Sequence, residues 1–175
     1  MKKIIVAAFA LVAIAFAPKA FSQTKNPMVG GAAMYATKNI VENAVNSKDH
    51  TTLVAAVKAA GLVETLASAG PFTVFAPTNA AFDKLPAGTV DGLLKPEKKD
   101  DLIDILQYHV SVGVFKADML QDGQSIGQVN GSSITIGKKA DGLYVNGTAK
   151  IIASIPASNG IIHVIDGVLL PAPVK

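Results

Sequence analysis

The sequence contains no cysteine and no arginine among its 175 residues, so all 16 of its basic side chains are lysines. Without cysteine, the chain has no disulfide framework, no thiolate metal site, no cysteine nucleophile and no lipid-modified N-terminal cysteine. Without arginine, it lacks the fork-shaped donor that suits bidentate contacts to phosphate and guanine. These absences leave a domain that must be stable through its core alone, and they argue against nucleic acid as a partner.

The N-terminus has the layout of a secretory signal peptide. Two lysines precede a continuous apolar run over residues 4–17, and small residues follow it. Ala20 and Ser22 suit the recognition positions, so we predict a signal peptide over 1–22 that is cleaved after Ser22. The run is shorter than the ~20 residues of a comfortable membrane span, and an uncleaved anchor is the alternative. The expected location is secreted or periplasmic, in the cell envelope.

Removal of this segment changes the charge of the chain. It takes Lys2, Lys3 and Lys19 away, so that 13 of the 16 bases remain against 13 acidic residues. The predicted mature chain is therefore formally neutral. The sequence pI of about 9.1 is mostly a property of the export signal.

The rest of the chain fits one domain, because half of its residues are apolar and can build a sizeable core. Residues 23–36 contain a proline and two adjacent glycines and show no sustained period, so we predict a flexible leader there. The folded domain is expected over 37–172, with a short tail over 173–175.

Helical periodicity dominates the first half of this domain. A short helix is predicted between Asn39 and Asn46, and the next helix is expected to be capped by Asp49 or Thr51 and interrupted at Gly61. A later helix carries apolar positions at i, i+3, i+4 and i+7 that should face the core, and these are Leu102, Ile105, Leu106 and His109.

A short strand and a corner follow the first helices. The stretch from Phe72 to Phe75 is aromatic and β-branched and lies between Pro71 and Pro77, which predicts a brief buried strand. Thr78 then suits the N-cap of a short helix, because its hydroxyl can accept from a free backbone N–H.

The period changes to two after the last helix. Val110, Val112 and Val114 alternate with small or polar residues, which predicts a half-buried strand.

The last run, 160–171, is apolar on both alternating faces and predicts a central, fully covered strand. Helices followed by antiparallel hairpins make an α+β domain. Asn-Gly and Asp-Gly turns separate the strands that we predict over 133–136, 143–145, 149–155 and 161–165.

Three segments resemble the motifs of fasciclin-type (FAS1) domains. Residues 73–82, Thr-Val-Phe-Ala-Pro-Thr-Asn-Ala-Ala-Phe, resemble the first conserved segment of that family, and residues 160–171 resemble the second. Between them, residues 106–110, Leu-Gln-Tyr-His-Val, resemble its tyrosine–histidine motif. The order and the spacing of the motifs match the family, and the resemblance covers residues 37–172.

The resemblance implies a FAS1-like wedge or sandwich of two β-sheets with several short helices, mainly in the N-terminal half. It also implies an extracellular or envelope-associated module of adhesion and matrix association. In animal members the tyrosine–histidine segment is linked to receptor binding, which makes Tyr108 and His109 the candidate partner-binding residues here. Because the first and last motifs are both dominated by apolar residues, we infer that they lie close together in the core.

No pattern in the sequence favours catalysis or a cofactor. His109 and His163 lie in apolar patterns, which is typical of neutral, hydrogen-bonded core histidines. The histidines show no HxH or HExxH spacing, so no metal is predicted. Residues 123–127 match G-x-S-x-G, but a hairpin follows instead of the helix that this hydrolase motif needs. Solvation on one helix face is expected for Asp100, Asp101 and Asp104.

The sequence therefore predicts an exported, non-catalytic interaction module in cell-surface adhesion or extracellular-matrix association. Its expected partner is a cell-surface or matrix protein or a polysaccharide, with membrane contact only through an uncleaved signal sequence. The alternative is an envelope protein that binds a small ligand or saccharide, or a hydrolase.

Overall fold

A computed structural model describes residues 26–171 of the chain. The predicted signal peptide over 1–22, the start of the predicted leader and the predicted tail over 173–175 lie outside the described residues. Across 26–171, none of the helices has the length and apolar character needed to cross a membrane.

Helices fill the first part of the described chain and strands fill the second, which confirms the α+β prediction. The α-helices are α1 (Ile40–Ala44), α2 (Thr51–Ala60), α3 (Val63–Ala67), α4 (Asn79–Asp83), α5 (Thr89–Leu93) and α6 (Lys99–Tyr108). The strands are β1 (Met28–Val29), β2 (Ala32–Ala33), β3 (Phe72–Pro77), β4 (Val110–Val112), β5 (Ser125–Gly127), β6 (Ser133–Lys139), β7 (Gly142–Val145), β8 (Ala149–Ala157) and β9 (Gly160–Ile165). Short 3-10 turns lie at Lys48–His50, Pro96–Lys98 and Ala117–Met119.

Seven strands form one mixed sheet in the order β4-β3-β9-β8-β7-β6-β5, and β1 pairs with β2 in a separate small sheet. The strands from β5 to β9 follow one another as antiparallel neighbours, as the turn residues predicted. β3 and β9 are parallel, with Phe72 opposite Gly160 and Pro77 opposite Ile165. This pairing confirms that the first and last motifs lie close together, and it makes β9 the central covered strand that the sequence predicted.

The two edges of the large sheet approach each other, so that the sheet is nearly a barrel. Val129, just after β5, donates its backbone N–H to the carbonyl of Val110 in β4 at 2.8 Å. Beyond this contact, β4 pairs only with β3 among the described strands. The outer side of Val112 is therefore the open end of the sheet edge.

Alternating side chains of β3 and β9 build two hydrophobic cores. The helix-side core packs these strands against α1, α2, α3 and α6, and it includes Leu53, Val57, Leu66, Val74, Ala76, Leu102, Leu106, Ile162 and Val164. The strand-side core packs them against the other strands and the C-terminal segment, and it includes Phe75, Tyr108, Ile126, Ile134, Ile136, Val145, Ile165 and Leu169.

The segment predicted as a flexible leader differs from that expectation in its second half. Met28–Val29 and Ala32–Ala33 pair as a small hairpin, and Met34 is buried in the helix-side core. The tight link between them turns at Gly30, where an added Cβ would clash with the Ser47 hydroxyl. A two-residue strand shows no period of its own, so the sequence pattern could not reveal it.

The strand predicted from the alternating valines also differs from expectation. In β4 the side chain of Ser111 is fully buried, whereas Val112 is 67% exposed and Val114, beyond the strand, is 41% exposed. Val110 and Val112 share one face of β4, and this face is covered at Val110 but open to solvent at Val112, where the strand ends. Only Val110 of the three valines belongs to the core.

The start of α2 is stabilised by a residue far away in sequence. Neither Asp49 nor Thr51 acts as the predicted side-chain cap, because a 3-10 turn precedes the helix and His50 occupies the N-cap position without a capping bond. Instead Asn79 of α4 accepts from the backbone N–H of Thr52 at 3.1 Å. The other predicted cap is confirmed, since Thr78 accepts from Ala81 at the start of α4.

Candidate functional site

The two residues singled out by the tyrosine–histidine motif lie inside the protein. Tyr108 ends α6 and is 6% exposed, and His109 follows it at 3% exposure. They connect α6 directly to the edge strand β4. Their side chains are buried, so neither can make a direct contact with a partner at the surface. Their assignment as partner-binding residues stays a prediction.

His109 is held by two hydrogen bonds that define its protonation state. Its Nδ1 lies 2.7 Å from the carbonyl of Ile105 and must donate to it, while Nε2 accepts from the backbone N–H of Leu169 at 3.0 Å. A neutral imidazole makes one donor and one acceptor bond of this kind. Burial lowers the pKa of His109 to about 4, in spite of the bond to Ile105 that favours the protonated ring. The side chain therefore joins α6 to the C-terminal segment as a neutral group.

Tyr108 makes the corresponding link to the strands. Its hydroxyl donates to the carbonyl of Ser133 at 3.2 Å and accepts from the Asn146 side-chain amide at 3.0 Å. The ring belongs to the strand-side core. Together Tyr108 and His109 fasten the start of β4 to three distant parts of the chain, around Ser133, Asn146 and Leu169.

His163, in the middle of β9, has an equally complete set of partners. Its Nε2 donates to the carbonyl of Phe115 at 2.6 Å, and Nδ1 accepts from the Ser154 hydroxyl at 2.8 Å. The ring stacks on Phe75 at 5.4 Å between centroids. Burial lowers the pKa of His163, so this ring is neutral as well. The prediction of hydrogen-bonded core histidines is confirmed for His109 and His163.

The third histidine, His50, is buried near the start of α2, where its Nδ1 contacts the Ser47 hydroxyl at 2.8 Å. Burial lowers its pKa too. Within 26–171 no cluster of three or more histidine, aspartate or glutamate side chains could hold a metal ion. The three histidines are separate structural residues rather than parts of one site.

The G-x-S-x-G match is not built as a hydrolase nucleophile. Ser125 is exposed on the short strand β5, and β5 is followed by a hairpin to β6. A nucleophile elbow places its serine at a sharp turn from a strand into a helix.

In the acidic group on α6, Asp101 is paired with Lys98 at 2.9 Å and Asp104 accepts from Asn130 at 3.2 Å. Neither arrangement assembles an acid and a base around a shared space.

A cavity of about 190 Å³ lies beneath the helices, and we call it the helix-side cavity. Its walls come from α1, α2, α3 and α6 on one side and from β3, β4 and β9 on the other. Its lining is almost entirely aliphatic and includes Ile40, Val41, Val54, Val57, Leu62, Val63, Leu66, Phe72, Val74, Leu106, Val110 and Ile162.

Apart from His109, the polar residues of this cavity belong to its helical walls. Lys58 and Thr65 are exposed residues on α2 and α3, and Gln107 is a half-buried residue of α6. Of the described lining residues, Lys58 alone carries a charge at neutral pH, because burial keeps His109 neutral. The empty volume beneath Val54 and Val57 depends on how far α2 and α3 lie from the sheet.

Exposed apolar side chains mark the sheet edge beside this cavity. Val112 and Val129 both line the cavity, and they are 67% and 44% exposed. An exposed apolar patch at a sheet edge is a frequent feature of interaction surfaces. We refer to Val112, Val129 and the open backbone edge of β4 as the edge patch.

Comparison with known proteins agrees with the motifs. The model of the family described as the fasciclin domain matches residues 48–171. Protein sll1483 of Synechocystis is 50% identical over 84% of this chain and 81% of its own length. The cell surface glycolipoprotein MPB83 of Mycobacterium bovis is 35% identical over 81% of this chain and 64% of its own length.

Longer proteins contain similar segments. The transforming growth factor-beta-induced protein ig-h3 of Sus scrofa is 39% identical over 68% of this chain, which corresponds to 17% of that protein. A solved FAS1 domain pair from the insect cell adhesion molecule fasciclin I has the same fold, with a TM-score of 0.61 and 18% identity over 81% of this chain and 52% of that one. The family match and the fold confirm the resemblance in the sequence, and this chain belongs to the fasciclin domain family.

Proposed function

We propose that the protein is an exported, non-catalytic interaction module that acts in cell-surface adhesion or matrix association. Support comes from the family, one of whose members is named as a cell surface protein and another as a cell adhesion molecule. The observation that carries the proposal is a contrast in exposure. The residues that match the family motifs are largely buried, whereas the edge patch is exposed. The most recognisable residues build the scaffold, so a partner must contact other residues.

The edge patch suits this role because it combines apolar side chains with unpaired backbone groups. Hydrogen bonds to β3 alternate along β4, so the N–H and C=O of Val112 point away from β3. A partner segment could add to this edge and cover Val112 at the same time. We propose that Tyr108 and His109 serve partner binding indirectly, by holding the start of β4 in place.

The test measures binding of the purified, fluorescently labelled protein to intact cells and to isolated envelope material of the organism that encodes it. Val112→Lys should weaken this binding about tenfold, because it places a charge in the centre of the patch. The matched control is Ile152→Lys on β8, since Ile152 is 54% exposed but lies outside the edge patch. Unchanged binding in Ile152→Lys would support the assignment of the surface.

Two outcomes contradict the proposal at different levels. If the unmodified protein does not bind cells or envelope material at all, the adhesion role is wrong. If Val112→Lys binds as well as the unmodified protein, the module binds through another surface and the edge patch is the wrong site.

A further inference from the structure

We propose that the helix-side cavity binds a small amphiphilic carboxylate, namely an acid with an apolar chain of about six to eight carbons. The chain would fill the cavity, and the carboxylate would lie beside Lys58. This proposal does not depend on the adhesion role. It takes up the alternative that the protein binds a small ligand, and it names the chemical class of that ligand.

The size of the cavity sets the size of the chain. An apolar cavity of ~150 Å³ in another protein stays dry and binds benzene, a six-carbon ring. The helix-side cavity is somewhat larger, at about 190 Å³, so it can hold about six to eight carbons.

The chemistry of the lining excludes a sugar as the natural occupant. Hydroxyl groups of a buried saccharide need hydrogen-bonding partners, and the aliphatic walls around Val54, Val57 and Leu66 offer none. The same walls suit a hydrocarbon chain, which gains free energy from each methylene group removed from water. The interior therefore selects an apolar group.

The charge of the lining selects the head group. Lys58 is exposed on the last turn of α2, and none of the ion pairs or side-chain hydrogen bonds of residues 26–171 involves its ammonium group. Lys58 thus places an unpaired positive charge where the cavity meets solvent. Its place near the C-terminus of α2 also suits the helix dipole, so a test must separate ligand binding from helix stability.

The test uses octanoate and octan-1-ol as probes, with calorimetric titration of the purified protein. Octanoate should bind one site with a dissociation constant at or below about 1 mM, which is typical of a buried short chain. Val54→Phe fills the cavity and should weaken octanoate binding at least tenfold. Its control is Val45→Phe, since Val45 is an exposed residue of the neighbouring helix end that does not line the cavity.

The head group is tested by Lys58→Gln, with Lys138→Gln as the control because Lys138 is an exposed lysine on β6, away from the cavity. Lys58→Gln should weaken octanoate binding about threefold, the size expected of an exposed ion pair, and should leave octanol binding unchanged. A general loss of helix stability would weaken both probes equally.

Each alternative result overturns the proposal. Octanoate that binds Val54→Phe as well as the unmodified protein occupies another site, and equal effects of Lys58→Gln on both probes remove the role of the charge. If neither probe binds at 10 mM while the protein associates with itself and Val54→Phe abolishes that association, the occupant is a second copy of the chain. If neither probe binds and no association occurs, the cavity is simply empty.

Discussion

The two cores share the same pair of strands but are filled to different degrees. On the strand side, Phe75, Ile136 and Val145 are fully buried among side chains of neighbouring strands. On the helix side, the opposite faces of β3 and β9 border a cavity of about 190 Å³. The difference follows from the elements that cover the two faces of β3 and β9. Neighbouring strands cover one face with closely packed side chains, whereas on the other face α1 and α3 are only five residues long and leave gaps.

The difference teaches where this fold keeps its rigidity and where it keeps open space. The cavity meets solvent beside Lys58 and beside Val112 and Val129, so its cost lies below the roughly 5 kcal/mol that a sealed void of about 190 Å³ would carry at ~24 cal/mol for each Å³. The tightly packed part of the fold is therefore the strand side, and the open space lies under the helices.

The strongest test of this comparison truncates two phenylalanines of the same strand. Phe75→Ala should cost about 3 to 5 kcal/mol, because Phe75 is fully buried in the strand-side core and stacks on His163. Phe72→Ala should cost about 1 to 2 kcal/mol, because Phe72 is half-buried and already borders empty space. Urea denaturation of both variants measures the two costs, and equal losses would show that the cores do not differ.

The next largest effect on stability is expected at His109. This residue links α6 to Leu169 of the strand-side core through a hydrogen bond. Its pKa is about 4 in the folded protein and near 6.5 when unfolded, so the unfolded state binds more protons between these values. Stability should therefore be complete near pH 7 and fall by about 3 kcal/mol toward pH 4 through this residue alone. The protonated ring would also turn a donor toward the N–H of Leu169.

Denaturation of the unmodified protein and of His109→Gln at pH 7 and at pH 4 isolates this contribution. Gln can still accept from Leu169 but does not titrate, so its stability should fall less between the two pH values. The lowered pKa values of His50 and His163 act in the same direction and are common to both proteins. An identical fall in both proteins would mean that His109 is not the group responsible.

Local pattern predicted the features that a short stretch of sequence decides. The strand from Phe72, the cap at Thr78 and the hairpin at Asn146-Gly147 depend on neighbouring residues, and all three are present. Asn146 has φ of 51° and Gly147 has φ of 70°, the left-handed backbone that such a turn needs. The prediction that the first and last motifs lie close together in the core is confirmed, and the structure adds that β3 and β9 pair in parallel.

Features set by distant packing could not be predicted in this way. Alternation along β4 gave the correct element but the wrong burial, because Ser111 is buried while Val112 lies at an exposed edge. The N–H of Thr52 is bonded by Asn79, which no local capping rule finds. The cavity is the feature that is hardest to predict from the sequence, because its lining residues have the same apolar pattern as ordinary core residues. Only the spacing of the helices and strands in the fold leaves empty volume between them.

The smallest expected effect comes from adding one methylene group to each core. Val145→Leu should destabilise the protein by about 1 to 3 kcal/mol, because Val145 is fully buried in the strand-side core and a larger side chain must displace its neighbours. Val54→Leu should be neutral or should stabilise by up to about 1 kcal/mol, since the added group extends into the helix-side cavity and buries apolar surface. Thermal and urea denaturation of the two variants compare the same chemical change on opposite sides of the sheet. A cost for Val54→Leu as large as that for Val145→Leu would mean that the helices already close over this space in solution, and the ligand proposal would lose its site.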